Sequence, residues 1–151
     1  MRRATLGMAA LTVFTVMFSI FTIWLVTHDP LEDALRTKAK GQEFPQVVSL
    51  SAAEAYGDEW TKVAVICPYE PRSLAESAIG IDSLDTPEYG PEEGENIALM
   101  LDDDGRYESK TYKRSDVDWC RGYHMAHLNG VSHLEFRREN KKAPWVLVGS
   151  S

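Results

Sequence analysis

A chain of 151 residues with two cysteines and 44% hydrophobic residues has room for one small domain, and too little bias for a disordered tail, a collagen-like repeat or a disulfide-dense miniprotein. Its 23 acidic against 16 basic residues leave a net charge of −7. That weighs against nucleic acid or an anionic lipid surface as the main partner, since both need neutralising cations.

The amino end stands apart from the rest. Residues 4–27 (ATLGMAALTVFTVMFSIFTIWLVT) run for 24 positions without a charge. As a helix rising about 1.5 Å per residue they reach roughly 36 Å, enough to cross a hydrocarbon core of about 30 Å with some tilt. Arg2 and Arg3 precede the run, while His28, Asp29, Glu32 and Asp33 follow it. The positive-inside rule therefore puts the amino end in the cytoplasm and the remainder outside. A cleaved signal peptide has a shorter apolar region, about 7 to 15 residues, and a small-residue cleavage site that this run lacks. The expectation is an uncleaved single-pass anchor over residues 1–27, in the cell membrane, with Trp24 at the outer interface.

Thr5, Thr12, Thr15, Ser19 and Thr22 share one face of that helix. Small hydroxyl residues let a partner helix approach closely and bond across the contact. The alternative is a plain anchor in which each hydroxyl bonds the carbonyl one turn back.

Residues 28–46 mix Pro, Gly and balanced charge and read as a linker able to hold a short helix, with packing expected from Val47 to Ser151. Ser51-Ala-Ala-Glu54 and Ser73-Leu-Ala-Glu76 both match the capping box, so two short helices should start there and stop at Gly57 and Gly80. Val63–Cys67 and Ile97–Leu101 are apolar on both alternating faces, as strands covered from two sides would be. Asp103-Asp-Gly105 supplies hairpin chemistry before a strand over 106–114, and 131–138 and Trp145–Val148 continue the meander. The fold class is α+β, with a mostly antiparallel four- to five-stranded sheet and two short helices.

Only Cys67 and Cys120 are present. In an oxidising compartment a bridge between them is expected. No C-x-x-C stands in the chain, and Pro68 after Cys67 offers no helix amino terminus to activate a thiol.

Charge is divided along the chain. Residues 43–104 hold 15 acids against Lys62 and Arg72, a balance of −13, whereas 106–142 hold nine bases and five acids, a balance of +4. Asp82, Asp85, Glu88, Glu92, Glu93 and Glu95 crowd a Pro- and Gly-containing stretch that should be an exposed loop. It is either simply solvated or an acidic docking surface for a basic protein, where complementary charge sets approach rate and orientation.

Chemistry is sparse. Cys120, His124, His127 and His133, with Asp116 and Asp118 upstream, are the densest metal-ligand candidates, but Gly122, Asn129 and Gly130 argue for a loop and a bridged Cys120 cannot ligate. Asp102–Gly105 lacks the alternate acids and distant Glu of a calcium loop. A Cys67 nucleophile with His124 or His127 as base needs a free thiol and a cleft. No catalytic residue and no cofactor are expected. Trp60, Tyr69, Trp119, Phe136 and Trp145 read as core, and an exposed cluster of them would be a partner surface.

Trp60-Thr-Lys-Val-Ala-Val-Ile-Cys-Pro-Tyr69, a short helix ending Ala78-Ile-Gly80 and the strand before Asp102 resemble a group of small bacterial secreted or membrane-anchored domains. The resemblance spans roughly residues 58–120 and implies an α+β fold and export. The group has no established activity, so it transfers no functional residue. The expected function is that of a non-catalytic accessory protein in a larger membrane complex, energy-transducing or envelope-assembling. The alternative is an exported small-ligand or metal-binding domain using Asp118, His124, His127 and His133.

Overall fold

The computed structural model describes residues 29–121 and 131–151. Asp29 is the first described residue. Its carboxylate accepts from Glu32 N at 3.1 Å and caps helix α1, Pro30–Lys38, whose proline sits in the first turn, where no amide hydrogen is needed. Leu31, Leu35 and Ala39 fall on one face and are 0%, 0% and 3% exposed. The expected linker over 28–46 is thus corrected. Its balanced charges line the outer face of α1, where Glu32 pairs with Arg36 at 2.7 Å, while the apolar positions between them pack into the core.

Strand β1, Gln46–Ser51, turns Val48 and Leu50 inward. Ser51 then caps α2, Ala52–Tyr56, by the reciprocal box the sequence predicts: Glu54 N donates to Ser51 Oγ at 3.1 Å and Ser51 N to Glu54 Oε2 at 2.8 Å. Strand β2, Lys62–Ile66, leads to α3, Arg72–Ile79, which ends at Gly80 in the left-handed region (φ 74°). The second expected capping box does not form. Pro71 starts α3 ahead of Ser73 without a side-chain cap, and Glu76 Oε1 instead accepts from Leu84 N at 2.9 Å.

Strands β3, Glu95–Leu101, and β4, Tyr107–Lys113, form the expected hairpin. Asp102 Oδ1 holds its turn by accepting from Asp104 N and Arg106 N at 3.0 and 2.8 Å, so this carboxylate is engaged by the backbone rather than free for calcium. The short β5, Val117–Asp118, then β6, His133–Arg138, and β7, Trp145–Ser150, complete the described chain.

The single expected sheet is two. Among the described residues, β1, β6, β7 and β5 form one sheet in that order and β2, β3 and β4 the other; pairing is antiparallel except between β5 and β7. One isolated bridge, Val63 to Val131, joins them. The larger core lies between the sheets and against α1 and α2, drawing on Leu50, Val63, Met100, Trp119, Phe136 and Leu147. A second cluster, Ile66, Leu99, Leu101, Ala75 and Leu84, fills the other face of the three-stranded sheet under α3. Strands β2 and β3 are therefore covered on both faces, which is why they read as unbroken apolar runs.

Cys67 and Cys120 form a disulfide with Cα atoms 5.8 Å apart. It joins the chain after β2 to the chain after β5, one cysteine from each sheet.

Candidate functional site

The loop from Gly80 to Glu95 is exposed and firmly seated. Leu84 and Thr86 are 2% and 8% exposed, whereas Asp82, Asp85, Glu88, Glu92 and Glu93 face solvent and Glu95 is half-buried. Its backbone is tied along its length. Asp85 N donates to Tyr107 Oη at 2.8 Å, Arg72 N to Glu88 O at 3.0 Å, Tyr69 N to Pro91 O at 3.1 Å and Arg114 N to Gly94 O at 2.9 Å. Gly90 (φ 78°) lies against Glu70, where an added Cβ would stand 2.3 Å from the carbonyl oxygen, so only glycine fits.

Among the described residues, the nearby arginines are engaged elsewhere. Arg72 spends Nη1 on the Leu84 and Thr86 carbonyls, and Arg114 donates Nη1 to Glu93 O and grips Asp118 with Nε and Nη2 at 3.1 Å each. Among the described residues, none of the six carboxylates Asp82, Asp85, Glu88, Glu92, Glu93 and Glu95 has an ion-pair partner. Tyr69 and Tyr89 rise beside them on the two adjoining backbone segments, 69% and 76% exposed, with Leu74 on the first turn of α3 also exposed. Tyr69 was expected in the core with Trp60, Trp119, Phe136 and Trp145. Those four are buried, but Tyr69 (φ 61°) stands in the turn after Pro68, outside the strand. Nothing in the local sequence marked Tyr89 as its neighbour, because β2 and the acidic loop meet only through the fold.

The other candidates are dispersed. Both cysteines are in the disulfide, which removes them as nucleophile or ligand. Asp118 is 4% exposed and held by Arg114 and the Cys120 amide. His133 is exposed beside Ser132 Oγ at 3.3 Å, Asp116 lies on the surface, and His124 and His127 fall outside the described residues. Among the described residues, no group of three or more His, Cys, Asp or Glu side chains could hold a metal ion. No helix of the described residues is long and apolar enough to cross a membrane, and the run 4–27, with Thr5, Thr12, Thr15, Ser19 and Thr22, lies outside them.

A polar knot fastens the start of α1. Asp29 Oδ2 pairs with Lys110 Nζ at 2.8 Å, Tyr112 Oη donates to Asp29 Oδ1 at 3.4 Å, and the Tyr56 and Tyr112 hydroxyls lie 3.1 Å apart. Lys110 also sits over the Tyr112 ring, 5.5 Å from its centroid. Burial pushes both phenols well above the usual tyrosine range, and for Tyr112 the neighbouring Tyr56 and Asp29 add to the rise.

No protein family, no curated protein and no solved structure matches this chain.

Proposed function

We infer that this protein is a membrane-anchored accessory subunit that catalyses no reaction itself and docks a larger membrane protein complex through its folded domain. Residues 4–27 hold it in the membrane with the amino end in the cytoplasm, and the domain from Asp29 onward stands outside. The uncharged run and the charges flanking it support this placement, as does the disulfide, which an oxidising compartment preserves. The resemblance of residues 58–120 to exported bacterial domains points the same way.

One observation carries the docking role: a seated loop whose six carboxylates lack ion-pair partners among the described residues stands beside two exposed tyrosines. A merely solvated run needs no such bracing. Flexible acidic loops lose entropy on binding, whereas a loop already held by its neighbours presents its charges with that cost met in folding.

Purification of the full-length protein from its own membrane in mild detergent, with mass spectrometry of bound species, tests the reading. A stoichiometric membrane partner is expected. Glu88→Gln, Glu92→Gln and Glu93→Gln together should weaken its retention, and Thr12→Leu, Thr15→Leu, Ser19→Leu and Thr22→Leu together should do so if the hydroxyl face also contacts it. A protein that emerges alone across several detergents would overturn the accessory role.

A further inference from the structure

Strand β4 has β3 on one side only. Arg106 O accepts from Asp102 N and Arg114 N donates to Gly94 O, which fixes the alternation along the hairpin. The even-numbered residues of β4 bond β3, and Tyr107, Ser109 and Thr111 turn their amides and carbonyls outward. Among the described residues, no group donates to or accepts from that outward backbone.

The other sheet edges are managed. On β1, Val47 N donates to Gln42 Oε1 at 3.3 Å, Ser49 O accepts from Lys38 Nζ at 3.0 Å and Ser51 N donates to Glu54 Oε2 at 2.8 Å. On β2, Val63 exchanges both main-chain bonds with Val131, and β5 is only two residues long. A bare edge templates another strand, so proteins blunt or cover the ones they do not use. On β4 the one charge that faces the same side as the buried Tyr112 and could repel a strand there, Lys110, is already neutralised by Asp29 at 2.8 Å.

We propose that β4 pairs with β4 of a second copy of this chain, antiparallel about a two-fold axis through Ser109, which joins two three-stranded sheets into one. The inference goes beyond the accessory role and does not depend on it. An axis perpendicular to the sheet keeps every side chain on its own face, so it must pass through a residue, and charge selects which. At Ser109 it sets Glu108 opposite Lys110 twice over, in the non-hydrogen-bonded positions where side chains lie closest. Glu108 is exposed and has no ion pair among the described residues, so the second copy supplies its partner. Tyr107 with Thr111, and Ser109 with its copy, then exchange the outward main-chain bonds. An axis at Glu108 or at Lys110 puts like charges face to face. One at Tyr107 runs the partner strand into the Asp102 to Gly105 turn, and one at Thr111 sets Ser109 against Lys113, whose carbonyl already accepts from Asp116 N at 2.9 Å.

Single cysteines placed in the full-length protein and oxidised mildly in detergent solution read the register. Ser109→Cys should give a linked dimer in high yield, since Cα atoms paired there lie about 5.5 Å apart. Mass spectrometry of the bridged peptides separates it from exchange with Cys67 or Cys120. Tyr107→Cys and Thr111→Cys should each link poorly with themselves, their copies standing about 13 Å apart along the strand, yet link well when mixed. Ser109→Pro removes an amide that β3 does not use, so light scattering should show the dimer lost while circular dichroism shows the fold kept. Glu108→Lys is a second variant, independent of backbone effects, and should weaken the dimer about tenfold by setting like charges opposite at both pairs. A monomeric wild type overturns the proposal. So does a dimer that survives both substitutions, as one held by membrane helices would, or linking that is equal at the three positions or strongest at Thr111.

Discussion

Glu54 shows how one side chain can serve two structures. Its carboxylate completes the α2 cap and meets Lys38 Nζ at 2.6 Å, binding α1 to α2. The Lys38 ammonium, with help from the Ser51 amide, holds the Glu54 carboxyl down at about 2. A folded value below the unfolded one means the pair stabilises above the ordinary carboxylate range, and the contribution is lost as pH falls through that range toward 2. Glu54→Gln should therefore lower the urea midpoint near neutrality and leave it nearly unchanged at the acid end. Tyr56 and Tyr112 have the opposite sign. Their raised folded values mean stability is intact below about pH 10 and falls as pH climbs past it. In an alkaline absorbance titration these two of the six tyrosines should ionise only as the circular dichroism signal of the fold is lost. Asn96, wholly buried, donates Nδ2 to Tyr112 O and Val117 O and accepts Trp119 N at 2.7 Å. Asn96→Ala strands all three groups, and a loss of roughly 3 kcal/mol in chemical denaturation is expected.

At the scale of elements, α1 is an integral layer. Leu35 is fully buried between α2 and the sheets, so Leu35→Ala should cost about 2 to 5 kcal/mol, whereas a tether would tolerate it. A differential scanning experiment on the full chain decides between them. The disulfide closes 53 residues of sequence separation, including β3 and β4, and on the chain-entropy model contributes about 4 kcal/mol. Cys67→Ser with Cys120→Ser should lower the melting temperature by a corresponding margin, and reduction of the wild type should reproduce the shift.

For the whole molecule, the division of charge becomes a division of surface. The acidic loop covers the outer cluster of the three-stranded sheet through Leu84 and Ile81, with most of its carboxylates left to solvent. Neutralising Glu88, Glu92 and Glu93 should leave stability unchanged or slightly raised, because it removes mutual repulsion without breaking an ion pair. A drop in stability comparable to the Leu35 variant would mean these carboxylates serve the fold rather than a partner.

The elements legible in the sequence were those fixed by local chemistry. The Ser51 box, the stops at Gly57 and Gly80, the Asp103 to Gly105 hairpin and the doubly covered strands β2 and β3 each depend on residues a few positions apart. The cysteine pairing was legible too, because two cysteines leave one choice. What sequence could not decide was long-range. Whether Ser73 or Pro71 starts α3 depended on the claim Leu84 makes on Glu76, eight residues away. The Leu31, Leu35 and Ala39 stripe carried a helical signal, yet only the core waiting beside β1 and α2 turned a charged stretch into a buried helix. The split into two sheets turned on which edges β5 and β6 could reach, and the approach of the Tyr69 turn to the Tyr89 segment on the Tyr69 N to Pro91 O bond and the packing of Gly90 against Glu70. Composition and short spacing determine caps, turns and apolar runs because their partners are neighbours in the chain. Surfaces arise from segments brought together by packing, so the tertiary structure alone could bring the acidic loop against the turn that carries Tyr69.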